Sequence, residues 1–574
     1  MNTRFIIKCS LFAFLLGHIP AYAADIKACK AGGINLQSIS YYTSGNEFNN
    51  IAKLSSGWIR RKMNIPVDSV PLNLDENGYP KSIEVGSQAE TFISLDAWGR
   101  DLVNDIDYVL LYDGEGTLAF NLNKPQIVAQ SIGRIVVKLN KGFLGLFITQ
   151  TNPDNYIRNI RLIPLAIENT YNDNKFRTSY ISKWSQFPVW RFMDQMNTNN
   201  STVVNWSDRR TSSKFGGSGV ALEDIVALSN QANVSPWLNI PHMASDDYVK
   251  QMASYVKANL NPKLKIYIEY SNEVWNYGFK QAQYATEQGK ILGIDGLQYY
   301  ADRSLQIFNI WEQVFGGSDS LVRIIGTQFY NPWVSERILS WKDLAKHTDA
   351  LALGYYFGYE AGTLPDVDKT LMMSTDELMM TIKNVYLPKT KAILSQQKVI
   401  ADKYALSLVA YEAGQHLSGA GTHPTLGYLP NYQPLTDKLI AANKHPMMEA
   451  LYLEFYSNWT EIGGGLINWF ASTGSFSKYG SWGLLENDSQ NELDAPKYRA
   501  VKKINDGINQ DTLDSCKIAV IRVPINIPFT GTVLPNGTFT GTLSSGELMG
   551  GTIMLNPNSP ISNSGAAISG TLNK

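Results

Sequence analysis

The sequence predicts an α/β fold: a (β/α)8 TIM barrel, interrupted after its first strand by an antiparallel β-sandwich and followed by a small C-terminal β-rich tail. Three observations predict it. From about residue 180 to 500, apolar strand-like runs alternate with helical stretches, the rhythm of a parallel sheet. Counting Ile34–Leu36 as the first, eight such strands occur, the number that closes a barrel. Between about 60 and 168 the helical spacing gives way to short strand-like runs parted by Gly, Asn, Asp and Pro turns.

In chain order, Arg4 and Lys8 precede an apolar stretch from Cys9 to Leu16, and Ala21-Tyr22-Ala23 supplies small residues before Ala24. Residues 1–23 therefore read as an export signal, which makes the mature chain secreted or periplasmic. A lipid anchor at Cys29 is the alternative, though Ile26-Lys27-Ala28 suits it poorly. The whole chain carries 50 Lys+Arg against 51 Asp+Glu; losing two cations with the signal leaves 48 minus 51, or −3. So weak a field argues against nucleic acid or an anionic membrane as partner. No later apolar run reaches the ~18 residues of a transmembrane segment. Once Cys9 leaves, only Cys29 and Cys516 remain. In an oxidising compartment two lone cysteines pair, which would tie the start of the mature chain to the end of the barrel; two buried thiols are the alternative.

The barrel is expected over 24–59 and 180–510. Its first strand, Ile34–Leu36, leads into a polar loop and a short helix ending near Trp58. The sandwich, 60–168, contains the runs Ala89–Leu95, Asp107–Tyr112, Ile135–Leu139 and Phe143–Thr149. The other barrel strands are Pro188–Met193, Val234–Ile240, Leu264–Ile268, Val322–Thr327, Ala350–Tyr355, Leu406–Tyr411 and Gly465–Phe470. Ser245 is placed to cap a helix whose Val249, Met252, Val256 and Leu260 share one face, and Ser374 with Glu377 has capping-box spacing. A doubly wound open sheet competes with the barrel, but its dinucleotide-binding form wants a Gly-rich turn that is not present. In residues 516–574 one pattern recurs three times: Phe529-Thr530-Gly531-Thr532-Val533, Phe539-Thr540-Gly541-Thr542-Leu543 and Ile568-Ser569-Gly570-Thr571-Leu572. Asn536-Gly537 between the first two is a hairpin turn signal, so the segment is a small β module or a flexible tail.

Clefts of such barrels open at the carboxyl ends of the strands. The fourth strand runs into Glu269-Tyr270-Ser271-Asn272-Glu273; if it stays extended, Glu269, Ser271 and Glu273 share a face. The seventh runs into Glu412, 139 residues beyond Glu273. Two carboxylates converging from different strands can divide the work on a sugar acetal. One, kept protonated, donates to the leaving oxygen; the other, ionised, attacks the anomeric carbon or activates water. Helix capping or ion pairing is the structural alternative for either one.

Asn272-Glu273 after strand four and Glu412 within Tyr411-Glu412-Ala413-Gly414 after strand seven resemble the retaining clan A glycoside hydrolases, which include the family 5 cellulases and mannanases. The resemblance covers 34–59 and 180–500. It implies that Glu273 is the acid/base, that Glu412 is the nucleophile, and that Asn272 binds the sugar hydroxyl beside the reacting carbon. Val274 departs from the Pro the clan often has after Asn-Glu. The same resemblance implies Arg191 beside the nucleophile, His242 on substrate, Tyr355 or Tyr356 hydrogen-bonded to the nucleophile, and Trp469 as an aromatic floor for the sugar. Asp194, Glu269 and His416 are secondary candidates. No His/Cys/Asp cluster has metal-ligand spacing, and no phosphate loop or Gly-x-Ser-x-Gly turn occurs, so no metal or cofactor is expected. The expectation is an exported hydrolase of β-linked polysaccharide or oligosaccharide. A non-catalytic carbohydrate-binding or adhesion protein on a hydrolase-like barrel is the rival. Oligomeric state is not readable.

Overall fold

The computed structural model describes residues 29, 31–62, 70–96, 99, 101–103 and 106–517, and the backbone of four strands between 526 and 573. The expected export signal lies outside the described residues. Eight parallel strands close a barrel: β1 (Gly32–Asn35), β2 (Val189–Arg191), β3 (Ser235–Ile240), β4 (Ile266–Tyr270), β5 (Leu321–Thr327), β6 (Ala350–Phe357), β7 (Ser407–Gln415) and β8 (Ile467–Trp469). Helices fill most of the crossovers. The helix Asp246–Asn259 starts where Ser245 accepts from the Tyr248 N–H, and Thr375–Thr381 starts at a complete Ser374/Glu377 capping box.

Alternation decides what each strand residue does. Val189, Trp237, Tyr267, Val322, Ile324, Ala350, Ala352, Val409 and Tyr411 form a cluster inside the barrel, separate from the core between strands and helices. Cys29 and Cys516 belong to this inner cluster and are joined as a disulfide. The bridge closes a loop with a sequence separation of 487, so it removes much of the unfolded chain's freedom.

The inserted domain is two four-stranded antiparallel sheets, Ile59–Lys62 with Ser87–Ser94, Phe143–Thr151 and Gly116–Asn121, and Gln126–Ser131 with Arg134–Lys138, Asp107–Asp113 and Arg158–Pro164. Ala89, Ile93, Leu144, Leu146 and Ile148 of the first join Leu110, Ile135, Val137 and Leu162 of the second in the main core. This period-two alternation is the sandwich pattern.

Residues 520–574 form a second compact unit. Its strands Asn526–Val533, Thr538–Leu543, Leu548–Thr552 and Ala566–Asn573 make one antiparallel sheet. The repeats set its register: Gly531 faces Gly541, and Thr530 faces both Thr542 and Ser569.

Candidate active site

Arg191, the last residue of β2, points into the barrel and is fully buried. Its Nη1 donates to Glu412 Oε1 at 2.9 Å and Asn35 Oδ1 at 3.1 Å. Nε and Nη2 donate to Glu269 Oε2 at 3.1 and 2.9 Å, and Nη2 also to Asn272 Oδ1 at 2.8 Å. The guanidinium lies over the Tyr411 and Trp237 rings, 5.0 and 5.6 Å from their centroids. Burial alone would drive off its charge; Glu269 and Glu412 offset this and hold Arg191 above its ordinary value. Glu269 also accepts from Trp237 Nε1 and Asn239 Nδ2, both at 2.8 Å. It is therefore Arg191's buried counter-ion, one layer below the cleft.

Glu412 reaches the cleft through a fault in the strand. Strict alternation after Val409 and Tyr411 would turn residue 412 outward. The β6–β7 register instead shifts, so that Leu353 faces Ala410 and Gly354 faces Glu412. The bulge turns consecutive residues, Tyr411 and Glu412, into the barrel. Gly354 makes room: a Cβ there would stand 2.8 Å from the Tyr411 hydroxyl. Glu412 then accepts from Arg191 on Oε1 and from the Tyr356 hydroxyl on Oε2 at 2.9 Å.

Glu273 arrives by a different device. The strand does not stay extended past Tyr270, as the face-sharing expectation required; Ser271 and Glu273 adopt φ of 59° and 44°, the left-handed region. Non-glycine residues there carry strain that the surroundings must hold. The turn leaves Glu273 half-buried. Tyr411 donates to its Oε1 at 3.0 Å, and Asn276 Nδ2 to its Oε2 at 2.9 Å. Burial, then the charge of Glu412, push its carboxyl up to about 7; Asn276 and Tyr411 partly oppose this. Asn272 between the turns is fixed on both sides. It accepts from Arg191, donates to Asn199 Oδ1 at 3.0 Å, and its carbonyl accepts from Gln281 Nε2 at 2.8 Å.

The neighbouring residues divide by the pleat. Of the two tyrosines expected at the end of β6, Tyr356 reaches Glu412. Tyr355 does not: it points outward and stacks on Phe455, 3.9 Å between centroids, fully buried. Trp469 is a second correction. It registers with Ile34, which registers with Trp190, and all three face the helices. Its ring packs on Tyr452 and Phe455 of the helix Met447–Glu461 and never meets the cleft. Beside Tyr356 lie His416 at 5.7 Å, Phe470 at 6.4 Å and the half-buried Trp482 at 5.8 Å, which is also 4.9 Å from His416. His242, after β3, is buried with Nδ1 lacking a hydrogen-bond partner, its ring edge-on to Tyr284. Burial, with the charge of Lys280, lowers it to about 4. Burial likewise lowers His416 to about 4. Asp194, after β2, is pushed up to about 7 by burial and then by Glu412.

Tyr411, Asn276 and Trp482 were not among the expected site residues. Only Tyr411 had a usable signal: it shares Val409's face of the strand.

Among the described residues, no group of three or more His, Cys, Asp or Glu could hold a metal ion, and no helix is long and apolar enough to cross a membrane.

No family model matches the chain, and no curated protein matches it. Solved structures similar in fold include a GH51 arabinofuranosidase from Xanthomonas axonopodis pv. citri (13% identity, 67% of this chain and 71% of that one, TM-score 0.36). A Bacteroidetes-affiliated GH5 cellulase matches at 8% identity over 59% of this chain and 87% of its own, TM-score 0.36. A Bacteroides ovatus GH5 xyloglucanase matches at 8% over 70% and 97%, TM-score 0.33.

Proposed function

We propose that the chain is an exported glycoside hydrolase that cleaves β-linked polysaccharide with retention of configuration. The observation that carries the proposal is the unlike treatment of two neighbouring carboxyls. Glu273 is raised toward neutrality and hydrogen-bonded by uncharged donors, whereas Glu412 accepts from a guanidinium and a phenol. A carboxyl raised toward neutrality near one bound by a guanidinium suits the acid and nucleophile roles.

In the first step Glu412 attacks the anomeric carbon and its C–O bond forms as the bond to the leaving oxygen breaks. Glu273 transfers its proton to that oxygen. Glu273, now ionised, takes a proton from water, and the hydroxide attacks the same carbon and releases Glu412. Tyr356 and Arg191 hold Glu412 in line. Asn272, hydrogen-bonded to Arg191 and Asn199, is the residue proposed to meet the hydroxyl next to the reacting carbon. Trp482 offers the sugar an apolar face.

The test is a panel of β-linked polysaccharides with products read by NMR. First-formed sugars should keep the β configuration. Glu412→Gln should lose turnover while still binding the substrate. Glu273→Ala should be slow on natural linkages, by about 10²–10⁴-fold, yet cleave substrates whose leaving group needs no proton. Glycan binding without released reducing ends would instead mark a binding protein.

A further inference from the structure

A second cleft lies on the same compact unit, between the sandwich strand Arg158–Pro164, the helical turn Ile51–Leu54 and the loop after β2. Its volume is about 410 Å³, and Lys53, Asp113, Arg161 and Lys214 supply its charges. Lys53 is neutralised by Asp224 at 2.6 Å. Asp113 accepts from Asn159 at 2.6 Å. Among the described residues, Arg161 and Lys214 form no ion pair, and Arg161 Nε is buried with no hydrogen-bond partner. Lys214 donates one of its three ammonium N–H groups to the Glu76 carbonyl, 3.2 Å away. Burial pushes the hydroxyls of Tyr79 and Tyr171, both lining the cleft, upward; hydrogen bonding with the Ile160 backbone and with Asn50, respectively, and then the charge of Arg161, oppose this.

A half-buried guanidinium with no carboxylate in ion-pair contact is costly to keep, because its donors have left water and gained little. Arg is also the side chain best shaped for a planar carboxylate, which takes two of its N–H groups at once. The cleft is larger than a lone oxyanion needs and lies within the range of small-molecule sites, about 300–1,000 Å³. Asp113 and the Ser213 hydroxyl supply acceptors of the kind a sugar's hydroxyls require.

We propose that this cleft is a second ligand site, taking an acidic sugar, a hexuronate, with its carboxylate on Arg161 and Lys214. The site is separate from the Glu273/Glu412 pair and stands or falls independently of the proposed hydrolysis.

The experiment is calorimetry on the full chain with glucuronate, glucose and inorganic sulfate, together with a crystal soaked in glucuronate. Glucuronate should bind at least tenfold more tightly than glucose or sulfate and appear in this cleft. Arg161→Gln and, separately, Lys214→Gln should each weaken it, the former at least tenfold, while Glu412→Gln binds it as the unaltered chain does. The proposal is overturned if glucuronate occupies only the barrel cleft, if Arg161→Gln folds and binds it unchanged, or if sulfate binds as tightly. Should Arg161→Gln fail to fold, the soak and Lys214→Gln decide.

Discussion

Tyr411 donates its phenolic hydrogen to Glu273 Oε1 at 3.0 Å, and Tyr411 is the residue immediately before Glu412. One bulge therefore supplies a hydrogen bond to the first carboxyl and the side chain of the second. Arg191 clamps the arrangement, holding Glu412 with Nη1 while its face covers the Tyr411 ring.

Tyr411→Phe keeps the ring under Arg191 and removes only the donor to Glu273. That donor lowers the Glu273 value, so its loss should raise it further. A proton donor must be protonated, so the basic limb of the kcat/KM profile should move to higher pH. A basic limb that stays in place would separate Glu273 from the rate.

Arg191→Met leaves Glu269 and Glu412 buried without the cation they share. Removing one partner of a buried ionic cluster costs about 3–5 kcal/mol. Urea unfolding should show a loss of that order, with activity abolished. A loss below about 1 kcal/mol would mean the cluster is better hydrated than its burial implies.

Trp482 and Trp469 should behave as opposites. Trp482→Ala should raise KM with little change in melting temperature. Trp469→Ala should cost about 3–5 kcal/mol of stability, because a fully buried indole is lost from the core, with KM in the surviving fold nearly unchanged. The reverse result would restore Trp469 to the cleft.

These two residues also mark what was legible in the sequence. The barrel and the sandwich were readable because strand–helix alternation and period-two runs report directly on burial. Which side of a strand a residue faces was not, because it turns on parity. Tyr355 and Tyr356 differ by one residue, and one is core and the other holds Glu412. Trp469 has Ile34's parity and so faces the helices. The bulge before Glu412 and the left-handed turns at Ser271 and Glu273 are tertiary solutions with no local sequence signal: no glycine or proline marks either turn residue. Trp482 comes from a loop beyond β8, where no periodicity applies.

Stability should depend on pH in two opposed ways. Glu273 moves from an ordinary 4.5 to about 7, so the folded chain holds its proton over that interval and the unfolded chain does not. Stability from this group is present below about 4.5 and is lost as pH rises toward 7. Glu273→Gln should therefore gain stability relative to the unaltered chain as pH rises, read from urea midpoints. His242 and His416, lowered from 6.5 to about 4, act in the other direction: stability is lost as pH falls from 6.5 toward 4. Replacing either with Gln should flatten that acid-side loss, and an unchanged slope would mean the ring is charged in the folded chain.

The most direct test of the paired-carboxyl mechanism is covalent trapping on any glycoside the chain hydrolyses. A fluorine at the sugar C2 slows both steps by destabilising the cationic transition state, and an activated leaving group restores the first. Mass mapping of the stalled protein should find one sugar esterified to Glu412, with none on Glu412→Gln. An adduct on Glu269 or Glu273, or inverted product with no adduct, would contradict the assignment.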